Sequence, residues 1–357
     1  MAKSGKVGFK DSVAEYERLK KDIAGNKFAP LYLLMGDEGY FIDSLGDLLG
    51  ETILEPAERD FNQVTLYGKD SDAGAIVNLC RQMPMMGKYQ VVILKEAQQL
   101  RKIEQLALYT KNPSPTTILI LCHKEKNLDK RSQLYKQIAE KGKVLESVRP
   151  RDYEIGPWLG EFIKGRGYSI HPRALGMLVD HLGVDISKIS NELTKLVTFL
   201  PEDVKEITDD HVEQNIGISK EYNNFELTKA LSEKNMEKVM RISDHFARNP
   251  KDNPLVVTIS IVFSHFQRIF ILNYQRWAAQ CRGGQLPSDI ELSAMLRLPN
   301  PYFLREYKQA AAIYPNKKVF NILGLLREYD LKSKGMGSVP GQEGELLKEL
   351  MLKILMA

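Results

Sequence analysis

Cysteine is scarce in this chain. Cys80, Cys122 and Cys281 lie far apart in apolar surroundings, with no CxxC. An odd number without paired spacing excludes a disulfide framework, gives no zinc site and fits a reducing compartment. The six histidines include no HExxH, and none stands at ligand spacing from a cysteine or a second histidine. No metal centre is expected. GxSxG is absent, and no two carboxylates stand out as a general acid and base. There is no fixed-period repeat and no low-complexity tract. The start, MAKSGKVGFKDS, carries charge but lacks the apolar segment of a signal peptide. The longest apolar run, 255-LVVTISIVFSHFQRIFIL-272, is interrupted by His265, Gln267 and Arg268. A buried helix suits it better than a membrane span. A cytoplasmic protein with no membrane partner is expected.

What is present is ordinary in amount and uneven in placement. Lys+Arg against Asp+Glu is 23 to 20 over residues 1–150, 8 to 12 over 151–220 and 19 to 14 over 221–357. The middle is acidic and the last third basic. No run of basic residues marks a nucleic-acid stripe, so the surplus reads mainly as solvated surface.

Periodicity divides the chain at Pro150. Val13, Tyr16, Leu19 and Ile23 predict a helix over 11–24, with Ser12 and Glu15 in capping-box spacing. Apolar runs of strand length follow at 31–35, 91–94 and 117–121, with weaker ones at 63–67 and 143–148. Helical stripes separate them, through Leu45, Leu48 and Leu49, through Ile76, Leu79, Cys80 and Met83, and near 103–106 and 134–138. Alternating strands and helices, with nearly continuous apolar strands, predict a parallel sheet covered on both faces. After Pro150 the strand signal stops. Helices are expected over 185–200, from Thr208, and over 236–246, 254–280, 302–314, 317–332 and 343–356. The polar break 217-GISKEYNN-224 is the best second linker, so three domains are expected: 1–150, 151–218 and 219–357.

Three stretches bear on function. After the first strand comes 35-MGDEGYFID-43, where a phosphate-binding loop would sit. Gly36 and Gly39 are there, but Tyr40, Phe41 and Ile42 replace the Gly-Lys-Ser/Thr that phosphates and a metal require, and Asp37 and Glu38 would repel a polyphosphate. The strand 91-VVILKEA-97 ends in Lys95-Glu96 rather than the acidic pair of an ATP-hydrolysing protein. The third is Gln82-Met83-Pro84-Met85-Met86. Pro84 stops the preceding helix, and Gly87 permits a turn before the next strand. Met85 and Met86 therefore fall in a connector, where exposed apolar side chains suggest a partner and methionine adapts to a pocket. The residues leave a second reading open, in which both fold back under the sheet edge. Met83 closes the helical stripe and fits either role.

In order along the chain, PLYLLMGDE at 30–38, DFN at 60–62, CRQMPMMGKYQVVIL at 80–94, ISNELTKL at 189–196 and REYDLKSKG at 327–335 resemble the delta subunits of the bacterial DNA polymerase III clamp loader. The resemblance implies an AAA+-like α/β domain with a degenerate P-loop (Gly36, Asp37, Glu38, Gly39), a small helical lid domain and an all-α collar through which loader subunits assemble. It implies a non-catalytic subunit with no cofactor. Its partners would be the ring-shaped sliding clamp (beta subunit), ATPase subunits, delta-prime and primer–template DNA. Clamp binding would fall on Gln82, Met83, Pro84, Met85 and Met86, following the pattern of Gln, two spacers and two large apolar residues. The family usually carries leucine or phenylalanine where Met85 and Met86 stand, so affinity or the cognate pocket is expected to differ. Lys317, Lys318, Lys332 and Lys334 are the basic residues that could approach DNA. Three rivals remain at this stage: an ATP-binding AAA+ enzyme with an atypical loop, a delta-prime-like subunit, and a plain DNA-binding module. Delta-prime subunits would be expected to carry Ser-Arg-Cys and often a zinc module, and neither is present.

Overall fold

The computed structural model describes residues 7–85, 87–201, 203–217, 219, 221–282, 285–298, 301–336 and 341–357. The chain packs as two compact units, Met1–Arg151 and Asp152–Ala357.

The first unit runs α1 (Phe9–Ala24), β1 (Leu31–Gly36), α2 (Gly39–Thr52), α3 (Pro56–Asn62), β2 (Gln63–Tyr67), α4 (Ala73–Cys80), β3 (Gln90–Lys95), α5 (Ala107–Thr110), β4 (Thr117–Lys124), α6 (Gln133–Lys141) and β5 (Lys143–Ser147). All five strands are parallel, in the order β2-β3-β4-β1-β5. The expected strands therefore form one parallel sheet. Its inner strands are buried along nearly their whole length. That is why they read as continuous apolar runs, while the edge strand β2 does not. Leu31, Leu33, Met35, Val92, Leu94, Leu119 and Leu121 face α4 and α6. On the other face α2 supplies buried Phe41, Ile42, Leu45 and Leu49.

Two helix ends differ from expectation. The first helix starts at Phe9, with the Gly8 N–H donating to Asp11 Oδ2 at 3.0 Å. Ser12 lies inside it and is buried, its hydroxyl donating to the Glu146 carbonyl at 2.7 Å and accepting from the Val148 N–H at 3.1 Å. A residue that looks like a cap in sequence is thus a tie to the β5 edge. The helix α4 ends at Cys80, earlier than the stripe ending at Met83. Its last turn tightens through Arg81 N–H to Asn78 O and Gln82 N–H to Leu79 O, a common way for a helix to end.

The second unit is mainly helical: α7 (Asp152–Lys164), β6 (Ser169–Ile170), α8 (Pro172–Leu182), α9 (Ile186–Phe199), β7 (Glu206–Ile207), α10 (Asp209–Ile216), α11 (Asn224–Ser232), α12 (Met236–Arg248), α13 (Leu255–Arg282), α14 (Asp289–Met295), α15 (Leu304–Ile313), α16 (Asn316–Ser333) and α17 (Glu343–Met356). The pairing of β6 with β7 corrects the expectation that strands stop after Pro150. A two-residue strand is too short to display a period. The stripe of α9 is buried at Ile186, Ile189, Leu193 and Leu196, and Asp185 caps its start. Thr208 caps α10 as expected.

By length and composition Leu255–Cys281 could cross a membrane. Here Val262, Phe266, Ile269 and Leu272 are its core face, packed with α15 and α16. The interrupting polar residues are bonded within the unit. His265 Nε2 lies 3.0 Å from Ser232 Oγ, and Arg268 Nη1 donates to the Tyr307 hydroxyl at 3.1 Å. Burial pushes His265 down to about 3, helped by the charge of Arg268.

Candidate clamp-binding connector

The sequence between α4 and β3 makes a connector, because a tightened helix end, Pro84 and Gly87 interrupt regular backbone structure before β3 begins at Gln90. Among the described residues, no backbone–backbone hydrogen bond is recorded there until Gln90 N–H reaches Thr116 O at 2.8 Å. Met83 is 80% exposed and Met85 63% exposed. Gln82 is exposed and Pro84 half-buried. Met86 lies outside the described residues. Neither described methionine is core, so the alternative in which Met85 folds under the sheet edge is not the observed one.

The connector's backbone is tied from outside. Asn62, the last residue of α3, is 2% exposed. Its Nδ2–H donates to the Met85 carbonyl at 2.7 Å, and the Met85 N–H donates to its Oδ1 at 2.6 Å. A Cβ on Gly87 would lie 3.0 Å from Asn62 Nδ2 and 3.0 Å from Glu58 Oε1, so α3 and the turn are closely packed. Phe61, beside Asn62, is 68% exposed. Asn62 and Phe61 are absent from the residues singled out by sequence. The signal was there in DFN, an aromatic between polar residues at a helix end, but spacing alone gives it no direction.

The loop after β1 is built in the opposite way. Gly36 has φ +135°, and a Cβ there would fall 1.9 Å from the Ser147 carbonyl oxygen. That oxygen accepts from Asp37 N–H at 2.9 Å, and the Ser147 hydroxyl donates to the Glu38 carbonyl at 2.7 Å. The buried Glu38 carboxylate accepts from Tyr40 N–H at 3.0 Å and caps α2. The helix N-terminus that would receive a phosphate thus holds a carboxylate of its own chain. Nearby charges are matched. Lys95 pairs with Asp47 at 2.8 Å, and Lys124 pairs with Asp43 at 2.8 Å and Glu96 at 3.1 Å. Burial acts to lower the pKa of Lys124, but these two carboxylates outweigh it and hold it raised.

The four lysines named for DNA do not form one free cluster. Lys332 pairs with Glu328 and Lys334 with Asp330, each at 2.7 Å. Lys317 is exposed and Lys318 half-buried at the start of α16. Among the described residues no group of three or more His, Cys, Asp or Glu could hold a metal ion. Burial raises Cys80 and Cys122 to about 12, which makes them inert packing residues.

Comparison with known proteins follows the same lines. Residues 32–148 match the family model described as DNA polymerase III, delta subunit. DNA polymerase III subunit delta of Bacillus subtilis (strain 168) is 24% identical over 344 residues, spanning 93% of this chain and 94% of the relative. Among solved structures, the Bacillus subtilis DNA clamp loader delta protein matches with a TM-score of 0.53 and 22% identity, covering 96% of this chain and 100% of that one, a likeness of fold. With the model match spanning the strands around the connector and the alignment running along nearly the whole chain, this chain is similar to the DNA polymerase III delta subunits over most of its length.

Proposed function

We propose that this chain is a non-catalytic clamp-loader subunit that binds the DNA sliding clamp through Gln82, Met83, Pro84, Met85 and Met86 and opens it. The observation that carries the reading is the exposure of Met83 and Met85 on a connector whose backbone is held by Asn62. Burying each methionine in a pocket contributes roughly 1.5–3 kcal/mol. Two of them supply a useful part of the about 8 kcal/mol of a micromolar complex. No bond chemistry is needed. Opening follows if the connector binds the open ring more tightly than the closed one, since only differential affinity shifts such an equilibrium.

The rest of the reading is an expectation from the family. ATPase subunits and delta-prime would share a hetero-oligomeric ring with this chain in the cytoplasm. The second unit would comprise a lid over 151–218 and a collar over 219–357. Primer–template DNA would pass near Lys317 and Lys318, with Lys332 and Lys334 already paired. An ATP-binding role is disfavoured by the Glu38 carboxylate at the α2 N-terminus. The test is capture of the cognate clamp by wild type and by the Met85→Ala/Met86→Ala double variant. Loss of capture with an unchanged thermal melt is expected. Equal capture would remove the site, and a large fall in melting temperature would return the methionines to the core.

A further inference from the structure

We infer that Asn62 is the positioning residue of the connector, a side-chain latch that holds it in the conformation a clamp receives. The inference rests on the clamp-binding reading above and goes beyond it by assigning a role to a residue outside the binding motif. Exposed methionines gain by collapsing onto the nearest apolar surface. Among the described residues of 83–89 no backbone–backbone hydrogen bond opposes this, and the resistance comes from elsewhere.

The Asn62 carboxamide provides it. It presents one donor and one acceptor side by side, as a strand neighbour's peptide groups do, and both engage the same residue, Met85. The bond pair is well placed to persist, because Asn62 is buried and its competition with water is small. It also has a rigid base. Asn62 is followed directly by Gln63, which pairs in register with Val91 of β3, the strand the connector enters. The latch therefore closes a short loop between neighbouring strands β2 and β3, and it brings the exposed ring of Phe61 to the residue beside the latch. Leucine or alanine at position 62 would leave the Met85 N–H and carbonyl without these partners. Aspartate would keep the acceptor, lose the donor, and set a carboxylate against a carbonyl.

A positioning role predicts a kinetic signature. If removing the latch lowers the presented fraction to about a tenth, apparent affinity falls about tenfold. The loss should sit in the association rate, with dissociation nearly unchanged, because the bound contacts are the same. The experiment measures association and dissociation of the purified full-length chain on immobilised cognate clamp for wild type, Asn62→Ala, Asn62→Asp and Met85→Ala. Amide hydrogen exchange at Met85 is followed in parallel. Expected are an association rate lower by about tenfold in both Asn62 variants, dissociation within twofold of wild type, and faster exchange at Met85 while β3 amides stay protected. Unchanged association in both Asn62 variants, with Met85→Ala still defective, would overturn the latch and leave the clamp reading standing. Wild-type binding by Met85→Ala would instead overturn the clamp reading at that residue. Should Asn62→Ala fail to fold, the near-isosteric Asn62→Asp decides the matter by the same rates.

Discussion

The connector over 82–89 and the loop over 36–39 lie at opposite edges of one sheet. The parallel registers put Gly36 beside Lys124 and Ser147 at the carboxyl edge, and Gln63 beside Val91 at the amino edge, next to Asn62 and Gln90. Their construction is inverse. The loop turns its polar groups inward, and Ser147, Glu38 and the α2 N-terminus satisfy one another. The connector turns apolar side chains outward and draws its backbone partner from α3. A polar loop already satisfied has little left to offer a ligand. An apolar surface held out in water keeps its full transfer free energy for a partner. The difference teaches where in this α/β unit recognition is to be sought.

The largest effect should come from the closed loop. Gly36→Ala places a Cβ within 1.9 Å of a carbonyl oxygen at a φ of +135°, so a loss of about 3 kcal/mol or more is expected in urea denaturation. A loss under 1 kcal/mol would mean the loop is looser than drawn. Next is a buried polar group of the second unit, which tests whether internal satisfaction stabilises there too. His265 is neutral in the fold, with its pKa down at about 3 through burial, below the roughly 6.5 of an unfolded histidine. Its contribution is complete above pH 6.5 and is lost as pH falls from 6.5 toward 3. The slope approaches about 1.4 kcal/mol per pH unit. In His265→Gln this part of the acid slope should vanish from denaturation curves.

A smaller effect is expected at the α2 cap. Glu38→Ala should cost about 1 kcal/mol in thermal or chemical melts, without creating ATP binding in equilibrium dialysis. A stoichiometric nucleotide site in wild type would break the comparison outright. The smallest change in stability should be at the connector. Met83→Ala/Met85→Ala should shift unfolding free energy by within about 0.5 kcal/mol, as for surface positions. A drop of 2 kcal/mol or more would show that these side chains pack in solution.

Much of this was legible in the chain. The β1, β3 and β4 segments announced themselves because burial on both faces demands uninterrupted apolar residues. Pro84 and Gly87 located the connector, since their backbone restrictions act whatever the surroundings. The missing Lys and Ser/Thr after Gly36 needed no coordinates to read. Ser12 misled, because a hydroxyl near a helix start has the same spacing whether it caps the helix or bonds to a distant carbonyl, here that of Glu146.

The sequence by itself determined the order of elements, the apolar strands and the placement of a methionine-bearing connector between a helix stop and a turn, because each follows from local backbone limits and periodicity. Only the tertiary structure decided that Met83 and Met85 face water, that Glu38 fills the end of its own helix, and that Asn62 grips a residue 23 positions away. Those outcomes depend on which strands become neighbours. Pairing β2 with β3 is what brings α3 to the connector, and a pairing between separate segments is not written in either segment alone.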